Sequence, residues 1–235
     1  MAIFGTGSYS CGFYLYGLIM KFDSFIKERG GFDADFTKEE ISAEPMFYRA
    51  DANFAWTHGG EITRSFLQSL PSDWLNSDMT IDTRVHMLMP GWYPCIPGMH
   101  HDDIPRTRED KQPNYETLDY NADHLMGLVN GDVAPTEFAV GEIDLEIPPL
   151  GSLIYRDWHP KVMQAISDGT LKSVHADSGV YIQFNNFAFH QGTAAVKSGW
   201  RWFIRASRNT ERANNCKNEI RKQVQVYMEN PMEGW

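Results

Sequence analysis

The sequence predicts a mainly β fold, a barrel or jelly roll supported by α-helices. Three observations carry that expectation. From about residue 80 the chain falls into short runs rich in β-branched and aromatic residues: TRVHMLM (83–89), HLMGLV (124–129), VYIQF (180–184), FAFHQ (187–191) and RWFIRAS (201–207). Turn-forming pairs such as Asn130-Gly131 and Asn185-Asn186 separate them. Helical signals gather instead near the start, and helices segregated from a run of strands belong to a β domain with helical cover.

Taken in order, CGFYLYGLIM (11–20) reads as a buried strand or short helix, too short to span a bilayer and without the basic start of a secretory signal. Met20 is an alternative start, which would leave residues 1–19 outside the native fold. Thr37 to Glu40 has the spacing of a capping box before Ile41, and EITRSFLQSL (61–70) places Ile62, Phe66, Leu67 and Leu70 at helical spacing. Both segments are expected to cover a sheet. Asn130-Gly131, between HLMGLV and the partly alternating FAVGEIDLEI (138–147), predicts a β-hairpin. PPLGSLIY (148–155) follows as a further strand. His159-Pro160 opens a short helix with Val162, Ala165 and Ile166 on one face and Gly169 past its end. The tail, ANNCKNEIRKQVQVYMEN (213–230), reads as a surface helix. No repeat or linker is visible, so 1–235 is one domain: support over 1–80, a β core over 80–208 and a helical tail over 209–235.

Composition narrows the function. Seven Trp, ten Tyr and fourteen Phe supply a sizeable core, which excludes disorder as the main state. With 31 acidic against 21 basic residues the net charge is -10, which argues against a general nucleic-acid or anionic-membrane binder but not against a local basic pocket. Cys11, Cys95 and Cys216 are odd in number and lack CxxC spacing, so neither a disulfide framework nor a thiolate zinc site is indicated, and a cytoplasmic setting fits.

The chemistry concentrates in PGMHHDDIPR (97–106). His-x-Asp puts an imidazole and a carboxylate on one side of an extended chain. His190, on a predicted strand 88 residues after Asp102, offers a third ligand, and two His with one carboxylate leave three positions open on an iron. Spacing alone allows either His100 with Asp102 or His101 with Asp103, because a one-residue slip moves the motif to the other face. Eleven positions after His190 stands Arg201. Alternation sets Arg201, Phe203, Arg205 and Ser207 on one strand face and Trp202, Ile204 and Ala206 on the other. Arginines aimed into an aromatic barrel are costly unless an anion meets them.

These residues, His-x-Asp, a later strand His in FHQG and an Arg eleven positions on within GWR, resemble the iron(II)- and 2-oxoglutarate-dependent dioxygenases. The phytanoyl-CoA hydroxylase-like group is the most similar, over residues 80 to 208. The resemblance implies a double-stranded β-helix, a cupin-like barrel, with iron held by two histidines and an aspartate and the distal carboxylate of the cosubstrate on an arginine. Its short Pro-Gly-x-His lead-in favours His100 and Asp102, with His190, as the catalytic metal ligands, His101 and Asp103 then pointing away. It implies Arg201 as the anchor; Arg205 with Ser207 is the alternative. The activity implied is hydroxylation of a small or nucleotide-sized substrate with O2, releasing succinate and CO2. A metal cupin without 2-oxoglutarate, its arginines in surface ion pairs, and a non-catalytic jelly-roll binding module are the competing readings. Residues 104–123 are placed to be a substrate lid or a plain loop, and Trp92, Tyr93 and Trp158 are candidate pocket residues. His86, His124, His159 and His175 have no ligand spacing, and His58 reads as a turn residue.

Overall fold

The computed structural model describes residues 18–116 and 121–228. Among the described residues lie eleven strands, β1 (Ile19–Ser24), β2 (Ile26–Gly31), β3 (Met46–Tyr48), β4 (Thr80–Leu88), β5 (Asp123–Val129), β6 (Thr136–Glu146), β7 (Lys172–His175), β8 (Val180–Asn185), β9 (Phe189–Gly192), β10 (Gly199–Arg208) and β11 (Glu219–Arg221), and four α-helices. The helices are α1 (Lys38–Ala43), α2 (Ala52–His58), α3 (Glu61–Gln68) and α4 (Ile154–Ser167). The larger antiparallel sheet runs β2-β8-β5-β10-β4, and the smaller joins β6 to β1, β7 and β9. His100 pairs with His190 on β9, so the segment around His100 extends the smaller sheet.

Counting that segment as the second strand of eight from β4 to β10, the sheets run 1-8-3-6 and 2-7-4-5. This is one long hairpin, its arms paired 1 with 8, 2 with 7, 3 with 6 and 4 with 5, rolled into a jelly roll. The topology corrects the expected hairpin at Asn130-Gly131. Asn130 does turn the chain, at φ +52, into a short 3-10 segment, but β5 and β6 lie in opposite sheets and do not pair. Turn chemistry specifies a reversal, not the partner reached after it.

Three more expectations are corrected. Residues 148–155 are not a strand: they form a turn and then the start of α4, which begins at Ile154 and carries Pro160 in its interior. The tail is not a helix over 209–228, where turns lead into β11 on β3 and then extended chain. Leu18 and Ile19 are exposed rather than buried, and residues 11–17, with Cys11, lie outside the described residues.

Alternation partitions the strands as the sequence suggests. Trp202, Ile204 and Ala206 on β10, with Ile81 and Val85 on β4, face a core under α1–α3 built on Phe32, Phe66 and Trp74. Thr37 and Glu40 form the expected capping box on α1, and Ile41 is fully buried. Glu44, just past α1, caps α3 by accepting from the Gly60 and Thr63 amides at 2.9 and 3.1 Å. A second core under α4 buries Phe22, Trp158 and Phe189. Between the sheets, Met126, Phe138 and Phe184 pack together. Met126 and Phe184 also line the polar cavity that holds the candidate site. Among the described residues no helix is long and apolar enough to cross a membrane, and Cys95 and Cys216 are free thiols.

Gly127 on β5 lets the rings of Phe32 and Phe66 lie on the sheet, since a Cβ there would stand 2.6 Å from Phe32 Cε1 and 3.0 Å from Phe66 Cε2. Gly127→Ala is therefore expected to overpack this core and cost roughly 1–3 kcal/mol in urea unfolding, although alanine favours a strand more than glycine does. An unchanged unfolding midpoint would show that the rings yield freely.

Candidate metal centre

His100 and His190 stand opposite each other through reciprocal backbone bonds, His100 N to His190 O at 3.0 Å and His190 N to His100 O at 3.1 Å. Such a pair places both side chains on one sheet face. That face is the cavity side, because Phe189 before His190 points into the α4 core. The ring centroids are 4.5 Å apart. Asp102, two residues on, returns to the same side, and ligand atoms of His100, Asp102 and His190 all lie within 4.8 Å of one another.

Hydrogen bonding fixes how the rings meet a cation. Nδ1 of His100 lies 2.9 Å from Gly98 O, and Nδ1 of His190 lies 2.9 Å from Ala188 O. A carbonyl only accepts, so Nδ1 of each ring carries a proton and Nε2 is the nitrogen that would face a cation. Nε2 of His190 faces Asp102 Oδ2 at 3.1 Å. Two acceptors at that distance repel unless a proton or a metal cation lies between them. Backbone carbonyls orienting imidazoles in this way are the usual outer support of a metal site.

The alternative register is used elsewhere. His101 is buried in the α4 core, its Nδ1 2.8 Å from the Tyr115 hydroxyl and its ring 3.8 Å from that of Phe189. Asp103, at φ +53, turns the chain and pairs with Arg212 at 3.2 Å.

The two arginines differ sharply. Arg205 donates to Asp102 and lies 3.5 Å from Asp82. Burial opposes its charge, but Asp102, Asp103 and Asp82 outweigh that and hold it firmly protonated. Burial likewise opposes ionisation of Asp102, yet Arg205, His190 and His100 keep its carboxyl well below the usual range. Arg201 is 2% exposed and donates to Thr136 Oγ1 at 2.9 Å. It has no carboxylate in ion-pair range among the described residues, and burial pulls its pKa down to about 10. Ser207 Oγ lies 2.8 Å from His124 Nδ1, deep in the sheet.

A cavity of about 730 Å³ joins these groups, with His100, Asp102, His190 and Arg201 in its wall. Trp158, expected near the pocket, is instead a fully buried residue of α4, packed in the core beneath that helix. Of the loop after Asp102, Ile104 and Tyr115 are anchored in that core while Arg106 reaches the cavity. Sequence reasoning missed Asp82, Arg84 and His86, which share the cavity face of β4. Their alternation with Ile81, Thr83 and Val85 was the signal.

No family model and no curated protein matches the chain. Among solved structures it is similar to HygX from Streptomyces hygroscopicus with nickel and 2-oxoglutarate bound, at 10% identity and a TM-score of 0.43 over 80% of this chain and 84% of that one. Apo HygX gives 11% and 0.36, and iron-bound HygX 10% and 0.34, each over 80% of this chain and 83% of that one. Likeness of this degree carries no chemistry across, so the site stands on its own side chains.

Burial holds His86 at a pKa of about 3 and His124 at about 4, both helped by nearby arginines. Unfolded, each titrates near 6.5, so below that pH the unfolded chain binds more protons and stability falls as pH drops towards 4. Asp102 adds a loss only below its unfolded value near 3.8. The melting temperature is expected to be lower at pH 5 than at pH 7, with a shallower fall in His86→Gln. An equal slope in the variant would contradict this origin.

Proposed function

We propose that this protein is an iron(II)- and 2-oxoglutarate-dependent oxygenase that hydroxylates a small or nucleotide-sized substrate, with succinate and CO2 as coproducts. The observation that carries the reading is a two-histidine, one-carboxylate cluster sharing a cavity with a buried arginine that lacks a carboxylate partner among the described residues. His100, His190 and Asp102 would hold iron(II), whose two neutral nitrogens and one carboxylate suit it and leave positions for small ligands. When bound, iron with 2-oxoglutarate supplies oxidative decarboxylation of the cosubstrate coupled to oxygen transfer from O2 into a C–H bond.

The chain's own groups bind, orient and exclude water. Arg201 would hold the distal carboxylate of 2-oxoglutarate, with Thr136 fixing one edge of its guanidinium. A buried guanidinium without an anion is expensive, so an anionic cosubstrate fits it better than a neutral one. Arg205 is less suited as anchor, because Asp102 and Asp82 already occupy it. It holds Asp102 ionised and oriented. Phe138 and Phe184, 5.5 and 5.1 Å from the His190 ring, keep water from that side of the centre. No side chain is required as a general acid or base. The eleven-residue interval from His190 to Arg201 supports kinship with the phytanoyl-CoA hydroxylase-like group, while substrate choice lies in other residues.

Anaerobic titration with iron(II) and then 2-oxoglutarate tests this. A weak visible charge-transfer band is expected in the wild type, absent in His190→Ala. In Arg201→Ala it should need roughly 30-fold more 2-oxoglutarate, the equivalent of about 2 kcal/mol for a lost buried charge pair. Iron binding without the band would point to a metal cupin, and no metal binding would leave a jelly-roll binding module.

A further inference from the structure

The cavity holds more positive charge than the proposed cofactors use. Six arginines line it, Arg49, Arg84, Arg106, Arg201, Arg205 and Arg212, in a chain of net charge -10. The nearby carboxylates are committed: Asp82 is shared by Arg205 and Arg212, Asp102 meets Arg205, and Asp103 meets Arg212. Arg201 is assigned to 2-oxoglutarate above. The other three donate to backbone carbonyls, Arg49 to Asn215 O at 2.8 Å, Arg106 to Lys111 O at 3.3 Å, and Arg84 to Phe47 O and Thr83 O at 3.1 and 2.6 Å.

Arg84 is the best placed of them. It projects from the cavity face of β4, two residues from His86, which lies opposite Arg201 in the β4–β10 register. It is half-buried, and burial, then Arg221, Arg205 and Arg212, pull its pKa below the arginine norm despite Asp82. A groove of about 770 Å³ shares Arg84 and His86 with the cavity and adds Arg221 and Lys222 from the tail. β11 delivers Arg221 there: its pairing with β3 sets the guanidinium 3.8 Å from the Tyr48 ring, and Tyr48 lines the cavity. Two guanidiniums with no carboxylate in ion-pair range among the described residues, one at the cavity wall and one at its mouth, match a planar or tetrahedral oxyanion. The local positive field also draws anions past an acidic surface.

We propose that Arg84, with Arg221 at the mouth, forms a second anion subsite that selects substrates bearing a carboxylate or phosphate group. Calling its ligand the substrate rests on the oxygenase reading; the subsite itself does not. Arg201 and Arg84 then divide the work, one binding the cosubstrate and the other holding the acceptor molecule by its charged end.

Calorimetric titration of the full chain with inorganic phosphate and, separately, with acetate tests this, without additions and again with nickel(II) and saturating 2-oxoglutarate. With 2-oxoglutarate saturating Arg201, one anion is expected to bind at one remaining site with a dissociation constant on the order of millimolar. Tighter phosphate assigns a phosphoryl group, tighter acetate a carboxylate. Binding should weaken at least tenfold in Arg84→Gln and severalfold in the more exposed Arg221→Gln, recover in Arg84→Lys, and change less than twofold in Arg201→Gln. Loss in Arg201→Gln alone, abolition of all anion binding by 2-oxoglutarate, equal binding in all variants, or no binding would overturn the subsite. Anion binding through Arg84 without any 2-oxoglutarate binding would sink the oxygenase reading and leave the subsite standing.

Discussion

The reciprocal backbone pair between His100 and His190 is the constraint on which the site depends. It is one rung of the long hairpin that rolls up into the fold, and it joins residues far apart in the chain. Because the two amides exchange hydrogen bonds, both imidazoles are set on one face at neighbouring positions. Asp102 follows at the next inward position, and Asp103 then turns the chain away at φ +53. A slip of one residue would carry His101 to the cavity and His100 into the α4 core, where its neighbours would be Phe22, Trp158 and Phe189 rather than a carboxylate. The packing of Phe189 and His101 against those aromatics, with ring centroids from 3.8 to 6.1 Å, therefore holds the register from behind.

The same division of faces lets the cavity tolerate charge. On β4 and β10 every inward arginine alternates with a residue buried under the N-terminal helices, so strand stability comes from Trp202, Ile204, Ile81 and Val85 on the far side. The inward row is thus free to be chosen for chemistry. Arg205 ties together the carboxylates Asp82 and Asp102, whereas Arg201 is left with a threonine hydroxyl. Uneven satisfaction of neighbouring buried cations is hard to explain by stability alone.

Much of this was legible in the sequence wherever the signal was local and periodic. The capping box at Thr37 and the two faces of RWFIRAS rest on spacing along a helix or strand, whereas spacing left His100 with Asp102 and His101 with Asp103 equal, and their grouping with His190 was favoured only by the family resemblance. What stayed hidden was set by distant partners. Asn130-Gly131 marks a turn, but whether the next strand pairs back or crosses to the other sheet depends on β8, β9 and β10, which come later. PPLGSLIY has strand-like residues, yet Ile154 and Tyr155 are claimed by the helical face that continues through Trp158 and Val162. The tail reads as helical by composition and is drawn out by the free edge of β3. Arg84 and His86 were visible as alternation in TIDTRVHML, though nothing local says that this face looks into a cavity rather than into water.

The most direct measurement is the anomalous scattering of manganese(II) soaked into crystals of the whole chain. The account expects one buried peak bonded to Nε2 of His100, Nε2 of His190 and a carboxylate oxygen of Asp102. A peak on His101 or Asp103, or none between the two opposed histidines, would contradict it.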